Sequence, residues 1–562
     1  MAEQPAVRQP GMGTIVAASA AGTAFEWYDF FIFGNLTPII AKHFFSGVND
    51  ITGFILALAT FALGFFMRPF GALVFGLFGD AKGRKVAFLV TITSMGLATL
   101  LIGFAPDSAQ MQQLGLPAIA APIALVTLRA IQGFALGGEY GGAAIYVAEH
   151  ARNDNRGGST GWIQTSAAFG LLGALGVILL LRTRMGGDTF DAWGWRIPFL
   201  LSAVLLGLSL WIRVKLGESP AFKRMEAETA GRRAPFSETF FRWKNLKYVL
   251  LVLFGVTVAQ GAVWYCAFFY SQFFMQKVLK VDDNTVTALI AAATLVSAVL
   301  YVFFGWLSDR VGRKSVMLFG MILALVCYVP ITGHSAFHYL TRFGNPDLAH
   351  AQAAAPVTVL ADPKDCTFQF DPVGKAKFLS SCEIAQAFLT NAGVTYSTRD
   401  AAAGSVASIM VGQAQVLSVD ARALKGDAQK KAKADAEARL KTALRAAGYP
   451  EKADPKKVEF TKLLLVMLVL TVAATALYGP QAAALVELFP TRVRYTGMGV
   501  PYNIGVGWVG GFLPAVAFAM NAASGDMYFG LWYATIFTLI SIVVSLIFLP
   551  ETKGRDLNTI TN

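Results

Sequence analysis

The chain has 562 residues, 55% of them hydrophobic and only 15% charged. Soluble domains carry about a quarter of their residues as charges, so a large water-soluble enzyme is disfavoured and an integral membrane protein is indicated. The net charge of +12, from 47 Lys+Arg against 35 Asp+Glu, would point a soluble protein toward nucleic acid; here the positions of the charges explain it without that partner.

In chain order, residues 1–13 are short and polar, and the apolar stretch 14–40 is too long for a signal sequence. It is read as the first spanning helix, followed by spans at 51–78, 86–104, 118–148, 160–181 and 195–216. A polar stretch at 217–247 separates these from spans at 248–275, 286–307 and 315–332. A second polar stretch, 334–459, precedes spans at 463–488, 496–520 and 528–549. The expectation is an all-α membrane protein of twelve transmembrane helices in two six-helix bundles. Residues 1–216 form the first and 248–562 the second, joined by a linker at 217–247 and interrupted by an insert at 334–459.

Charge orients the array. With the first residue inside, the inner loops hold seventeen Lys and Arg and the short outer loops five, namely Lys42, Arg182, Arg184, Lys277 and Lys280. Basic residues gather on the cytoplasmic side, so both ends of the chain are expected there and the insert on the opposite face.

The two halves repeat. Gly76-x-x-x-Asp80-x-x-Gly83-Arg84-Lys85 follows the second span, and Gly305-x-x-x-Asp309-x-x-Gly312-Arg313-Lys314 follows the eighth. Glu149 with Arg156 seven residues on ends the fourth span; Glu487 with Arg494 seven residues on ends the tenth. Two marks recurring in the same order argue for two parallel six-helix repeats.

These paired loop motifs resemble those of the major facilitator superfamily of secondary transporters. The string Gly22–Phe30 with Glu26, Trp27, Tyr28 and Asp29 resembles the first span of its metabolite:H⁺ symporter family, which handles proline, betaine, dicarboxylates, citrate and shikimate. So do Arg68-Pro69-Phe70-Gly71, the run from Leu128 through Arg129, Gln132, Gly137 and Glu139, and the segments around Arg196, Glu218 and Glu551. The resemblance covers nearly the whole chain except 334–459. It departs at Ala81, where a basic residue is usual, and in the long insert. It implies a proton-coupled symporter for a small organic acid or zwitterion. Such a protein would be a monomer in a bacterial inner membrane, its bundles exposing a central site to each side in turn. Small-molecule substrate, proton and lipid bilayer are the expected partners, without cofactor or nucleic acid. A sugar carrier is the alternative, since the Glu218 and Glu551 segments also resemble sugar porters; a transporter-like nutrient sensor is a third reading.

The charged residues in the spans are costly to insert, at about 2.5–3.5 kcal/mol each, and each needs a role. Glu26 and Asp29, three apart, share a helical face. Their mutual repulsion disfavours both being ionised, which suits proton coupling, as does Glu139 in the fourth span; pairing with a neighbouring arginine is the plainer role. Arg68 lies twelve residues before Asp80, about 18 Å along a helix and near the bilayer midplane. Arg68 or Arg129 can hold a substrate carboxylate through a bidentate fork, or else pair with the carboxylates and pack. Gln132 extends this polar lining. In the second half Gln260, Trp264, Tyr265, Tyr502 and Asn503 can surround a small polar solute, and their aromatic faces suit a quaternary ammonium. Packing is the common role for span aromatics, and for Gly133, Gly137 and Gly141 at four-residue spacing.

At the inner face Asp80 and Asp309 can meet helix N-termini. The expected gate pairs are Arg84–Glu149 and Arg313–Glu487, with Arg494 the repeat mark beside them; if these charges only fix topology, swapping them changes nothing.

The insert contains Cys366 and Cys382, for which a disulfide is expected in an oxidising compartment. Short strands at 356–360 and 405–411 and a polar helix at 427–447 suggest a small α+β domain. Cys266 and Cys327 lie in spans. The chain has no Walker loop for ATP, no CxxC pair and no metal-ligand spacing, and His334 and His338 read as a surface pair.

Overall fold

The computed structural model describes residues 11–46, 50–82, 84–214, 236–331, 333–366, 378–557 and 560. A helix stands at each predicted span. α1 is Met12–Phe44, α2 Asp50–Lys82, α3 Arg84–Phe104, α4 Ala120–His150, α5 Arg156–Met185 and α6 Arg196–Val214. α7 is Trp243–Val278, α8 Asp283–Val311, α9 Arg313–Tyr328, α10 Phe460–Val486, α11 Arg494–Ser524 and α12 Leu531–Phe548. Among the described residues, eight of these are long and apolar enough to cross a membrane, or nine if the bent pair Gly187–Gly194 and Arg196–Trp211 counts as one span. The others are α1, which carries Glu26 and Asp29, α3, and α9 of 16 residues.

The differences from expectation have local causes. α9 stops at Tyr328, four residues early, because Pro330 cannot continue the helix. α4 is broken at Gly138 and α10 at Gly479 and Pro480. α7 begins five residues early, and a short helix at Phe236–Phe240 precedes it, its Glu238 paired with Arg492 at 3.1 Å. The rest of the predicted linker, with Glu218, lies outside the described residues. The turn from α8 to α9 is made at Gly312, whose φ of +106° is open only to glycine at low cost.

Within the first half α2 and α4 touch backbone to backbone: an added Cβ at Gly137 would lie 2.0 Å from the Arg68 carbonyl oxygen. Across the halves α5 packs along α8 and α2 along α11, the two pairings being equivalent under the sequence repeat. α7 contains π-helical turns at Leu253–Thr257, Cys266–Tyr270 and Phe274–Val278, and α11 one at Asn503–Gly510.

The insert folds as an α+β unit. Four strands, β1 (Val357–Ala361), β2 (Tyr396–Asp400), β3 (Ser408–Val411) and β4 (Ala414–Leu417), form a sheet of order β2-β1-β3-β4. β1 and β2 are parallel, crossing through the helix Ser381–Ala392; β3 runs antiparallel to β1 and β4. A polar helix, Gly426–Ala446, packs Leu440 and Leu444 into the insert core. Sequence reading missed β2, exposed at four of its five positions, and four-residue β4, because neither shows a clear hydrophobic alternation. Cys366 and Cys382 are disulfide-bonded; Cys266 and Cys327 are buried free thiols.

Candidate functional site

At the face where α1 begins and α12 ends, the halves are held by a symmetric set of charges. Arg156 of α5 donates to Glu487 at 2.7 Å, and Arg494 of α11 donates to Glu149 at 2.7 Å, all four side chains being at most 1% exposed. Asp80, at the end of α2, accepts from the backbone N–H groups of Tyr495 (3.1 Å) and Thr496 (3.0 Å) and from the Thr496 hydroxyl (2.7 Å). Asp309, at the end of α8, accepts from the N–H groups of Gly157 (2.9 Å) and Gly158 (2.7 Å). Each aspartate thus sits on the positive N-terminus of a helix from the other half, where a carboxylate is favoured. Arg313 joins Asp309 (2.6 Å) to Glu487 (3.2 Å) within the second half.

Arg313–Glu487 is made, but the bonds that cross between halves come from Arg156 and Arg494. Arg156 was visible only as one mark of the repeat. The Arg84 side chain lies outside the described residues, so the expected Arg84–Glu149 pair does too.

The opposite face opens into a cavity of about 380 Å³ between the halves, within the range of small-molecule sites. Its walls are aromatic: Phe31, Phe61 and Phe65 from the first half face Trp264, Tyr265 and Phe269 from the second. Asn35, Lys277 and Thr287 also line it and are exposed. Tyr301, on its wall, accepts from the Trp264 indole N–H at 2.8 Å. It lies eight residues from Asp309, about 12 Å along α8, so the closed face begins below the cavity.

Arg68 sits beneath Phe65 and Tyr265. It is 3% exposed, its guanidinium carbon 4.7 Å from the Phe65 ring centre and 4.8 Å from that of Phe30, and it lies close to the Tyr265 hydroxyl. Its Nε and Nη2 have no hydrogen-bond partner among the described residues. These two N–H groups form one edge of the guanidinium, the edge that grips a carboxylate bidentately. Leaving them buried and unmatched is costly; the same edge of Arg129 is also unmatched, but Arg129 lies within the first half whereas Arg68 lies against Tyr265 of the second. The hydroxyls of Tyr502 and Tyr478, 2.8 Å apart and hydrogen-bonded to each other, are near it. Gln260 is buried one turn from Trp264, with its Oε1 unmatched.

Other predicted residues lie elsewhere. Asn503 donates to the Gly137 carbonyl at 2.9 Å and ties α11 to α4 rather than lining the cavity. Arg129 is enclosed in the first half, over Phe33 (4.4 Å), Phe30 (4.9 Å) and Phe61 (5.0 Å), and it donates to Gln132. Gln132 donates to the Thr99 hydroxyl at 2.8 Å and to the Asp29 backbone carbonyl at 3.5 Å, while the Thr99 hydroxyl donates to the Met95 carbonyl at 3.0 Å. Neither Arg129 nor Gln132 lines the cavity. Glu26 and Asp29 face a void of about 10 Å³ bounded by Ile92, Met95 and Ser209, toward α3 and α6; that is room for about one water molecule. Arg68 therefore pairs with neither carboxylate. Gln132 instead joins the Asp29 backbone carbonyl to Arg129, which shares the Phe30 ring with Arg68. The Glu139 side chain lies outside the described residues. Sequence reading missed Tyr301, Tyr478 and the phenylalanine wall, since one aromatic among 44 phenylalanines carries no signal of its own.

The Major Facilitator Superfamily family model matches residues 19–344. The chain belongs to the major facilitator superfamily. A sugar (and other) transporter model matches residues 446–562 of this superfamily member. The glycine betaine/proline/ectoine/pipecolic acid transporter OusA of Dickeya dadantii (strain 3937) is 33% identical over 325 residues, 56% of this chain and 63% of OusA, so the chain spans under two thirds of that relative. The shikimate transporter of Escherichia coli (strain K12) is 33% identical over 315 residues, 56% of this chain and 70% of the relative. The inner membrane metabolite transport protein YhjE of the same strain is 34% identical over 342 residues, covering 60% and 74%. These relatives are named as transporters, not enzymes. Among solved structures, the proton:xylose symporter XylE bound to 6-bromo-6-deoxy-D-glucose aligns over 98% of both chains with a TM-score of 0.58 at 15% identity, a likeness of fold.

Proposed function

We propose that the chain is a twelve-span symporter of the metabolite:H⁺ type, taking up a small zwitterion or organic acid with a proton by alternating access. The observation that carries this reading is the unmatched bidentate edge of Arg68, buried between the halves under an aromatic cavity. A substrate carboxylate docks on Nε and Nη2, and a quaternary or secondary ammonium lies against Trp264, Tyr265 and Phe269, whose faces attract cations. Asp29, with Glu26 beside it, takes the proton, and Gln132, bonded to both the Asp29 backbone carbonyl and Arg129, couples that event to the substrate position. The Arg156–Glu487 and Arg494–Glu149 pairs hold one face shut while the cavity opens to the other; breaking both sets lets the halves rock. The shut face is cytoplasmic, with both chain ends there, in a bacterial inner membrane, and the protein acts as a monomer. The relatives that transport betaine, proline and shikimate support the substrate class.

The test is uptake by proteoliposomes of labelled glycine betaine, L-proline, shikimate and D-xylose under an imposed proton gradient. One carboxylate accumulates and a protonophore abolishes it. Accumulation of xylose alone would replace this reading with a sugar carrier, which the transporter match at 446–562 and the XylE-like fold favour.

A further inference from the structure

The two family-model matches leave 345–445 between them, yet this segment does not hang free. Its closest engagement is the turn 393–396, which joins the helix Ser381–Ala392 to β2. On one side the turn meets α7. Gly393 has φ +73°, and a Cβ added there would lie 2.2 Å from the carbonyl oxygen of Val278, the last residue of α7. On the other side it meets α11. The Tyr396 backbone N–H donates to the Gly525 carbonyl at 2.8 Å, and the Tyr396 hydroxyl reaches the Ala522 carbonyl at 3.4 Å. A Cβ on Gly525 would lie 2.6 Å from the Tyr396 carbonyl oxygen. Four residues are therefore wedged between the ends of two helices with no space for a side chain at either contact.

Those two helices wall the cavity. Phe269, Phe273 and Lys277 come from α7, and Pro514 and Phe518 from α11. Both also contain π-helical turns, and such interruptions of the hydrogen-bond ladder are where helices bend. The rest of the insert is anchored to the same half. Asn345 donates to the Leu279 carbonyl (2.9 Å), the Ala453 N–H to the Lys280 carbonyl (3.2 Å), and the Tyr528 hydroxyl to Thr341 (2.9 Å). The helix that delivers the turn is itself fixed at its start by the Cys366–Cys382 disulfide and by a reciprocal cap between Ser380 and Glu383.

We infer that the turn 393–396 is a strut that sets the separation of the α7 and α11 ends, and so the width of the cavity mouth. Gly393 and Tyr396 are positioning residues for the cavity, and the insert moves as one body with those ends. Bending of α7 and α11 is then confined to the segments between the strut and the closed face. The consequence for uptake rests on the cavity being the transport site; the strut itself does not.

The experiment uses the full chain in nanodiscs with spin labels at Gln276→Cys and Ala523→Cys, and reads the distance between them by double electron–electron resonance. Gly393→Ala and Gly525→Ala each press a methyl group into the opposing backbone from a different segment, so failure of one to fold leaves the other. Gly404→Ala is the control: its φ of +76° brings the same backbone strain, but its Cβ meets nothing within 4 Å. The two contact variants lengthen and broaden the distance, the control does not, and the KM for glycine betaine uptake rises several-fold in the contact variants with kcat little changed. Distances equal to the parent in both contact variants, or an equal shift in the control, overturn the strut. A shift confined to the contact variants supports it even if none of the probe solutes is taken up, in which case the transport reading of the cavity fails instead.

Discussion

The two ends of the molecule are built on opposite principles. The closed end obeys the internal repeat: Glu149 answers Glu487, Arg494 answers Arg156, and Asp80 on the N-terminus of α11 answers Asp309 on that of α5. The open end does not. Arg68 comes from the first half alone, Trp264 and Tyr265 from the second, and only the second half carries the insert. At the closed end each half meets the other through the same contacts, because the repeat places a carboxylate and an arginine at equivalent helix ends in both. Under the proposed function this asymmetry has a use, because a solute with one anionic and one cationic end needs two walls that differ chemically.

The largest effect is expected where the symmetry is cut. Glu487→Gln leaves Arg156 and Arg313 without their shared buried carboxylate, and removing one partner of a buried ion pair costs about 3–5 kcal/mol. The closed face should open, read as faster cysteine labelling around Ser308. Glu149→Gln should act in the same direction, and the double exchange Arg156→Glu with Glu487→Arg should recover part of the closure. Labelling unchanged in both single variants would reduce these charges to fixing topology.

An intermediate effect is expected at the asymmetric end. Arg68→Gln keeps a polar side chain but loses the charged bidentate edge, worth about 1.5–3 kcal/mol in a charge-assisted bond. Uptake of carboxylates should fall by one to two powers of ten through KM, with labelling at the closed face unaltered. Equal loss for D-xylose would assign Arg68 to packing.

The smallest effect concerns the insert. His338, read from sequence as a surface residue, is half-buried, stacked 3.8 Å from the Tyr528 ring and bonded to Ser335 at 2.7 Å. Burial holds its imidazole below the ordinary value of about 6.5, against the opposing pull of Asp526 and with His334 adding to the shift. The depressed value means that the docked state favours the neutral ring. Its contribution to docking is therefore complete above pH 6.5 and is lost as pH falls through the lower, docked-state value. The protection factors for amide exchange in the helix Ala336–Gly344 should fall modestly below pH 6, and His338→Gln should flatten that pH dependence.

Much of this was legible beforehand because it is local. A run of about twenty apolar residues declares a helix whatever surrounds it, and Pro330 or Gly312 ends or turns it by its own backbone restrictions. The loop motifs declared their repeat by spacing alone. The cavity was less legible. Arg68, Trp264 and Tyr265 stood out as expensive or amphipathic groups in lipid, whereas Arg129, Gln132 and Asn503 looked the same in sequence and turned out to lie within or between packed helices. An arginine buried between the halves, beneath the aromatic wall of the cavity, and one enclosed within a single half differ only in which way the helix is rotated, and twelve helices can be rotated in many ways that satisfy the same hydropathy.

The sequence by itself determined the helices, their two-fold order and the charges at one face, because hydrophobic transfer and backbone sterics act over a few residues. Only the tertiary structure decided that Arg156 meets Glu487 across 331 residues and Arg494 meets Glu149 across 345, and that a four-residue turn of the insert lodges between α7 and α11. Partners so distant are chosen by how whole helices pack.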